Sequence, residues 1–73
     1  MSDYWVVYAF TPNKSSASKM LSPLKKKFES AKIEIDKDGQ FVVTLGHTET
    51  LREANELIHE AVAQGFWGGI YKK

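Results

Sequence analysis

Two stretches of this chain share one outline, and that repetition constrains its fold more than any other feature. Residues 4–17, YWVVYAFTPNKSSA, and residues 41–54, FVVTLGHTETLREA, each run from an apolar, β-branched and aromatic segment through a polar turn into the start of a helix. Such a unit must leave a central strand, turn sharply and open a helix that lies back over the sheet. In the second unit Gly46 is expected to permit the turn. Thr50 is expected to satisfy the first free N–H groups, with Glu53 completing a T-x-x-E capping box. In the first unit Ser15, Ser16 and Ser18 stand at the helix start, where capping accounts for them better than nucleophilic chemistry, since no general base adjoins them.

The segments between the two units complete the pattern. Ala17, Met20, Leu21, Leu24 and Phe28 form an apolar stripe at helical spacing with lysines opposite, and Pro23 within it predicts a kinked or two-part helix over residues 15–29. Lys32-Ile33-Glu34-Ile35-Asp36 alternates as a strand with one wet face, Asp38-Gly39 is a hairpin turn signal, and Gln40 to Leu45 is the antiparallel partner. Leu51, Ala54, Leu57, Ile58, Ala61 and Val62 give the second helix one apolar face before Gly65 ends it. Phe66 to Tyr71 reads as a last strand, with a bulge or close backbone approach at Gly68-Gly69. The fold class is therefore α+β. The order is βαββαβ, ferredoxin-like, a four-stranded antiparallel sheet with both helices on one face and the first and third strands central.

Seventy-three residues make one small domain, 1–73, and the 42% hydrophobic, 26% charged composition is that of an ordered globular chain. With no cysteine there is no disulfide framework, thiol nucleophile or thiolate metal site. His47 and His59 stand apart, without carboxylates at metal-ligand spacing, so neither a metal nor a cofactor is expected. The opening MSDYWVVYAF carries an acid where an export signal is basic, and no segment is long and apolar enough for a membrane span. As written, the chain is expected in the cytoplasm, and in the periplasm or cell wall only if it is cut from a longer exported protein. The net charge of +1 is spread unevenly, +3 over residues 1–37 and −2 over residues 38–73. A dipole of this kind does not favour nucleic-acid binding, and Lys25, Lys26 and Lys27 form the one local basic patch.

The second unit carries a family resemblance. Val43 to Thr48 reads V-x-L-G-x-T, Ala54 follows eight residues after Gly46, and Gly65 eleven after Ala54. This spacing resembles the second repeat of SPOR domains, a family known for binding bare glycan strands of bacterial peptidoglycan. Phe10, Gly46, Ala54 and Gly65 match the family's fold positions. Where the family carries a glutamine and Gly-Ser-Phe in the first strand, this chain has Val6, Tyr8, Ala9 and Phe10. Val42 and Thr44 stand at the arginine-bearing positions of the third strand, and His47-Thr48 replaces Pro-Phe.

Aligning the two units places Trp5, Val7, Ala9, Ile33, Ile35, Phe41, Val43 and Leu45 toward the helices. By alternation Tyr4, Val6, Tyr8, Val42 and Thr44 point the other way, joined by Trp67 and Tyr71 from the edge strand. These seven are the candidate binding residues, since aromatic rings stack on sugar or base faces while their polar tips stay wet. No catalytic constellation is present. The leading reading is a non-enzymatic module whose aromatic sheet face binds a peptidoglycan glycan strand or a similar flat ligand. The alternative is a small intracellular protein, phage-encoded or regulatory, that binds a host protein or sequesters a nucleotide. Homodimer formation through the sheet face competes with ligand binding in both. A third reading, RNA binding on an RRM-like sheet, fits less well, because Tyr8 and Phe41 are expected on opposite faces.

Overall fold

The computed structural model describes residues 3–72, so Met1, Ser2 and Lys73 at the ends of the expected domain lie outside the described residues. The element order is β1 (Tyr4–Thr11), α1 (Lys14–Lys25), β2 (Lys32–Ile35), β3 (Phe41–Thr48), α2 (Leu51–Ala63) and β4 (Gly69–Lys72). The four strands form one sheet in the order β2-β3-β1-β4, every neighbouring pair antiparallel. The α+β class, the βαββαβ order and the central places of the first and third strands are as the sequence predicts.

Local chemistry explains most boundaries. The Thr50 hydroxyl accepts from the Glu53 N–H at 3.2 Å while the Glu53 carboxylate accepts from the Thr50 N–H, so the expected capping box opens α2. At the β2–β3 hairpin Asp36 Oδ1 accepts from the N–H groups of Asp38 and Gln40, both at 2.9 Å, and Gly39 takes a φ of +80°, a region other residues avoid. At α1 the cap is Asn13, not the serines. Its Oδ1 accepts from Ser15 N–H at 2.8 Å and Ser16 N–H at 3.2 Å, and Ser15, Ser16 and Ser18 lie inside the helix. The two-part helix to residue 29 is also corrected. α1 is one helix ending at Lys25, and Pro23 sits in its last turn, where its missing N–H removes one i→i−4 bond close to the helix end.

The core lies between the sheet and the helices. Val6, Val43 and Leu45 from the central strands meet Ala17 and Leu24 of α1, Ala54 and Ala61 of α2, and Phe28 and Ala31 of the loop after α1. Both helices pack on the sheet. Gly46 has a different role from the one expected. It pairs with Val6 inside β3, and the chain turns only after Thr48. A Cβ at Gly46 would lie 2.9 Å from Ser30 Oγ and 3.0 Å from Leu57 Cδ2, so its small size serves close packing. Ser30 cannot yield easily, because its hydroxyl donates to the Leu45 carbonyl at 2.7 Å. Gly46→Ala is expected to destabilise the fold by about 1–3 kcal/mol, the range for overpacking. Urea unfolding measures it, and a loss below about 0.5 kcal/mol would show that this contact relaxes freely.

Candidate binding face

The pairing of β1 with β3 decides which side chains reach the face away from the helices. The register runs Val6↔Gly46, Val7↔Thr44, Ala9↔Val43, so Leu45 on β3 and Tyr8 on β1 each stand without a partner across this ladder. Each is an inserted residue of the β-bulge kind, and each moves the alternation by one. Ala9, Phe41, Val43 and Ile33 face the helices as predicted. Trp5 and Val7 do not.

The correction concerns the whole first half of β1. Val6 belongs to the helix-side core, and Tyr4 and Tyr8 pack against it. Trp5 and Val7 form a second cluster on the opposite face with Val42 and Tyr71. Of the seven candidate residues, Val42, Thr44 and Tyr71 are brought together on the open face. Tyr4, Val6 and Tyr8 lie on the helix side, and Trp67 stacks on Tyr8 at 4.4 Å between ring centroids. Trp5, Phe10, His47 and Glu34 belong to the open face and were not singled out by sequence. For His47 the available signal was Gly46, since a glycine within a strand pattern marks a bulge, and counting past it by twos gives the wrong face.

Among the described residues no helix covers this face, yet its floor is buried. Val42 and Thr44 are 0% exposed and Trp5 is 6% exposed. A row of rings covers them. His47 of β3 stacks on Trp5 of β1, with centroids 5.3 Å apart and planes at 22°. Trp5 meets Tyr71 of β4 at 5.7 Å, and Tyr71 meets Phe10 edge-on at 6.0 Å. The row thus crosses the sheet from β3 to β4 and turns along β1. Thr44 donates its hydroxyl to the Lys32 carbonyl at 3.2 Å, so this buried hydroxyl is satisfied internally. On the β2 side Glu34 Oε2 lies 2.9 Å from His47 Nε2 and 3.2 Å from Lys32 Nζ, which holds the carboxylate beside the outermost ring.

A groove of about 420 Å³ crosses this surface, with Trp5 and Tyr71 on one side, Glu34, Ile35, Asp36 and Lys37 on the other, and Lys72 at the rim. Its apolar parts are ring faces, and its polar parts carry both signs of charge. Such a surface offers stacking together with both donors and acceptors. The basic patch is less uniform than its sequence suggests. Lys25 Nζ donates to the carbonyls of Glu29 and Ala31, tying down the turn after α1, whereas Lys26 and Lys27 are exposed.

The described residues thus form a small α+β sheet with a grooved, aromatic face that no described helix covers. This chain belongs to the SPOR domain family, whose family model matches residues 1–72. SPOR domains bind peptidoglycan, are not a catalytic family and are usually periplasmic. No curated protein and no solved structure matches the chain significantly. Among the described residues no helix is long and apolar enough to cross a membrane.

Proposed function

We propose that this SPOR domain binds a peptide-free glycan strand of peptidoglycan in the open-face groove, with Trp5, Phe10 and Tyr71 as the stacking surface and Val42 and Thr44 as its rigid floor. The observation that carries the reading is the pairing of a row of rings with a mixed-sign rim. A pyranose presents an apolar C–H face and an equatorial belt of hydroxyls, so it needs an aromatic face beneath and donors and acceptors around it. Lys37 and Lys72 can donate to those hydroxyls, while Glu34 and Asp36 can accept. The same acids oppose a polyphosphate, because nucleic-acid binding rests on neutralising phosphates with an excess of cations. The groove is therefore better suited to a neutral strand than to RNA.

The family's sequence signature in this surface is replaced. Val42 and Thr44, at the arginine-bearing positions, are buried here, so they shape the floor and do not reach ligand. Contact passes to the rings and to the charged groups along β2 and β4. A glycan in the cell wall also requires the chain to act in the envelope, the location expected for a domain of a longer exported protein.

The test is retention on purified sacculi. Wild-type protein is expected to sediment with sacculi whose stem peptides have been removed by an amidase, and less with untreated sacculi. Equal retention on both, or tighter binding to RNA or a nucleotide than to the stripped glycan, would end this reading.

A further inference from the structure

The groove has two walls, and one side chain that does not line it touches both. Trp5 stands on one side of the groove and Glu34 on the other. His47 meets the ring of the first and the carboxylate of the second. The bulge at Leu45 brings it there. With the alternation of β3 moved by one, His47 stands opposite Trp5 in the register and on the same face, where directly opposed side chains meet.

Each contact restrains a group that a ligand in the groove would use. The imidazole lies nearly parallel to the indole, centroids 5.3 Å apart, and Tyr71 meets the same indole at 5.7 Å, so Trp5 is held from the β3 side and from the β4 side. On Glu34 both cation contacts fall on one oxygen, with Oε2 lying 2.9 Å from His47 Nε2 and 3.2 Å from Lys32 Nζ. Among the described residues Oε1 has no such contact, which leaves it to accept from a sugar hydroxyl. The Lys32 side chain is 55% exposed and that of His47 only 20%, and an exposed lysine–carboxylate pair holds little. His47 is thus the firmer of the two restraints. Around it, among the described residues, stand Glu34 and Lys32 of β2, Lys25 and Glu29 beside the end of α1, which line one cavity with it, and Asp3 and Glu49, two residues before Trp5 and two after His47; Tyr71 of β4 lies beyond Trp5.

We propose that His47 is the positioning residue of the groove: protonated, it fixes the Trp5 ring and holds Glu34 by Oε2 so that Oε1 meets a sugar hydroxyl. The inference rests on the glycan reading above and adds the group that arranges the site. Imidazole is the side chain whose charge changes between roughly pH 5 and 8. As imidazolium, His47 makes an ionic contact with Glu34 and a cation–π contact with Trp5, whereas the neutral ring keeps only stacking and a weaker polar contact. Proton uptake therefore strengthens both restraints, and a preorganised site binds more tightly. Glycan affinity rises as the pH falls through this range, and the gain ends when Glu34 itself takes up a proton near roughly pH 4. By reciprocity, glycan binding draws a proton onto His47.

Calorimetry of a peptide-free glycan tetrasaccharide over roughly pH 5 to 8 tests this in the wild type, His47→Phe, His47→Arg and His59→Gln. Wild-type affinity should be about two- to fivefold higher at the acid end, on the scale of one cation–π contact. Within the range, binding should take up protons, seen as a heat that depends on the ionisation enthalpy of the buffer. His47→Phe keeps a ring beside Trp5 and loses the cation, so it should bind as weakly as the alkaline wild type throughout. His47→Arg carries a permanent charge that both stacks and pairs with a carboxylate, and it should bind like the acid form at every pH. His59, the other histidine, is exposed on α2, and His59→Gln should keep the wild-type profile. A wild-type affinity that ignores pH, binding without proton uptake, a profile that persists in His47→Phe or one that vanishes in His59→Gln overturns the positioning role and leaves the groove standing. Proton uptake is read on the wild type alone, so the role can be overturned even where a variant folds poorly. If the wild type binds no tetrasaccharide at any pH, the groove reading falls and this role with it.

Discussion

Leu45→Ala is expected to destabilise the domain by about 2–5 kcal/mol, the range for a buried leucine that loses its transfer energy and leaves a cavity. Leu45 is fully buried at the centre of β3, and as the inserted residue of a bulge it points into the helix-side core beside Gly46. The surroundings are poorly placed to collapse into the space. The Leu45 carbonyl is tied to Ser30, and the backbone of Gly68 already rests against the Leu45 side chain. A domain of this length has a total stability of roughly 4–11 kcal/mol, so the substitution removes a large share of it. The melting temperature should fall by on the order of 10–30 °C. Val62→Ala, on the exposed side of α2, is the control and should change stability by less than about 0.5 kcal/mol. Urea denaturation with an unchanged m-value measures both, and near-equal effects would show that the bulge does not place Leu45 in the core.

The same bulges separate what the sequence could reveal from what it could not. Features written in local chemistry were legible: the Thr50–Glu53 capping box, the Asp38-Gly39 turn, the apolar face of α2 at Ala54, Leu57, Ile58 and Ala61, though not at the exposed Leu51 and Val62, and the close approach at Gly68. The element order follows from these, and the fold with it. The facing of β1 was not legible, because a period of two carries no record of an inserted residue. Counting back from Ala9, which does face the helices, assigns Val7 and Trp5 inward, and the error enters at Tyr8. Likewise, counting forward from Leu45 hides His47, which stacks on Trp5 across the open face. Asn13 was passed over as a cap because the serines after it have the same preference, and only backbone geometry distinguishes them. Of the residues expected on the open face only Val42, Thr44 and Tyr71 lie there, beside Trp5, Phe10 and His47, which were expected elsewhere or not placed.

That exchange of residues makes a sharp test. Tyr71→Ala is expected to weaken binding of peptide-free glycan by about 1–3 kcal/mol, roughly five- to a hundredfold in Kd, the range for a stacked aromatic. Tyr71 is the middle ring between Trp5 and Phe10 and lines the groove, so its loss breaks the row. It lies on a short edge strand that pairs only with β1, and stability should change less than for Leu45→Ala. Tyr8→Ala should behave in the opposite way. Tyr8 packs on the helix-side core and carries Trp67, so its removal should lower stability while leaving tetrasaccharide binding in the groove near the wild-type value. Isothermal titration and thermal melts on the two variants give a crossed pattern if the open face is the binding surface. If the exposed Phe10 and the groove instead form a seam between two copies, Tyr71→Ala should abolish dimers in sedimentation, and only the wild type should show a melting temperature that depends on concentration. A Tyr71→Ala protein that keeps both glycan affinity and oligomeric state would remove the open face from either role, because Tyr71 is the ring that touches both Trp5 and Phe10.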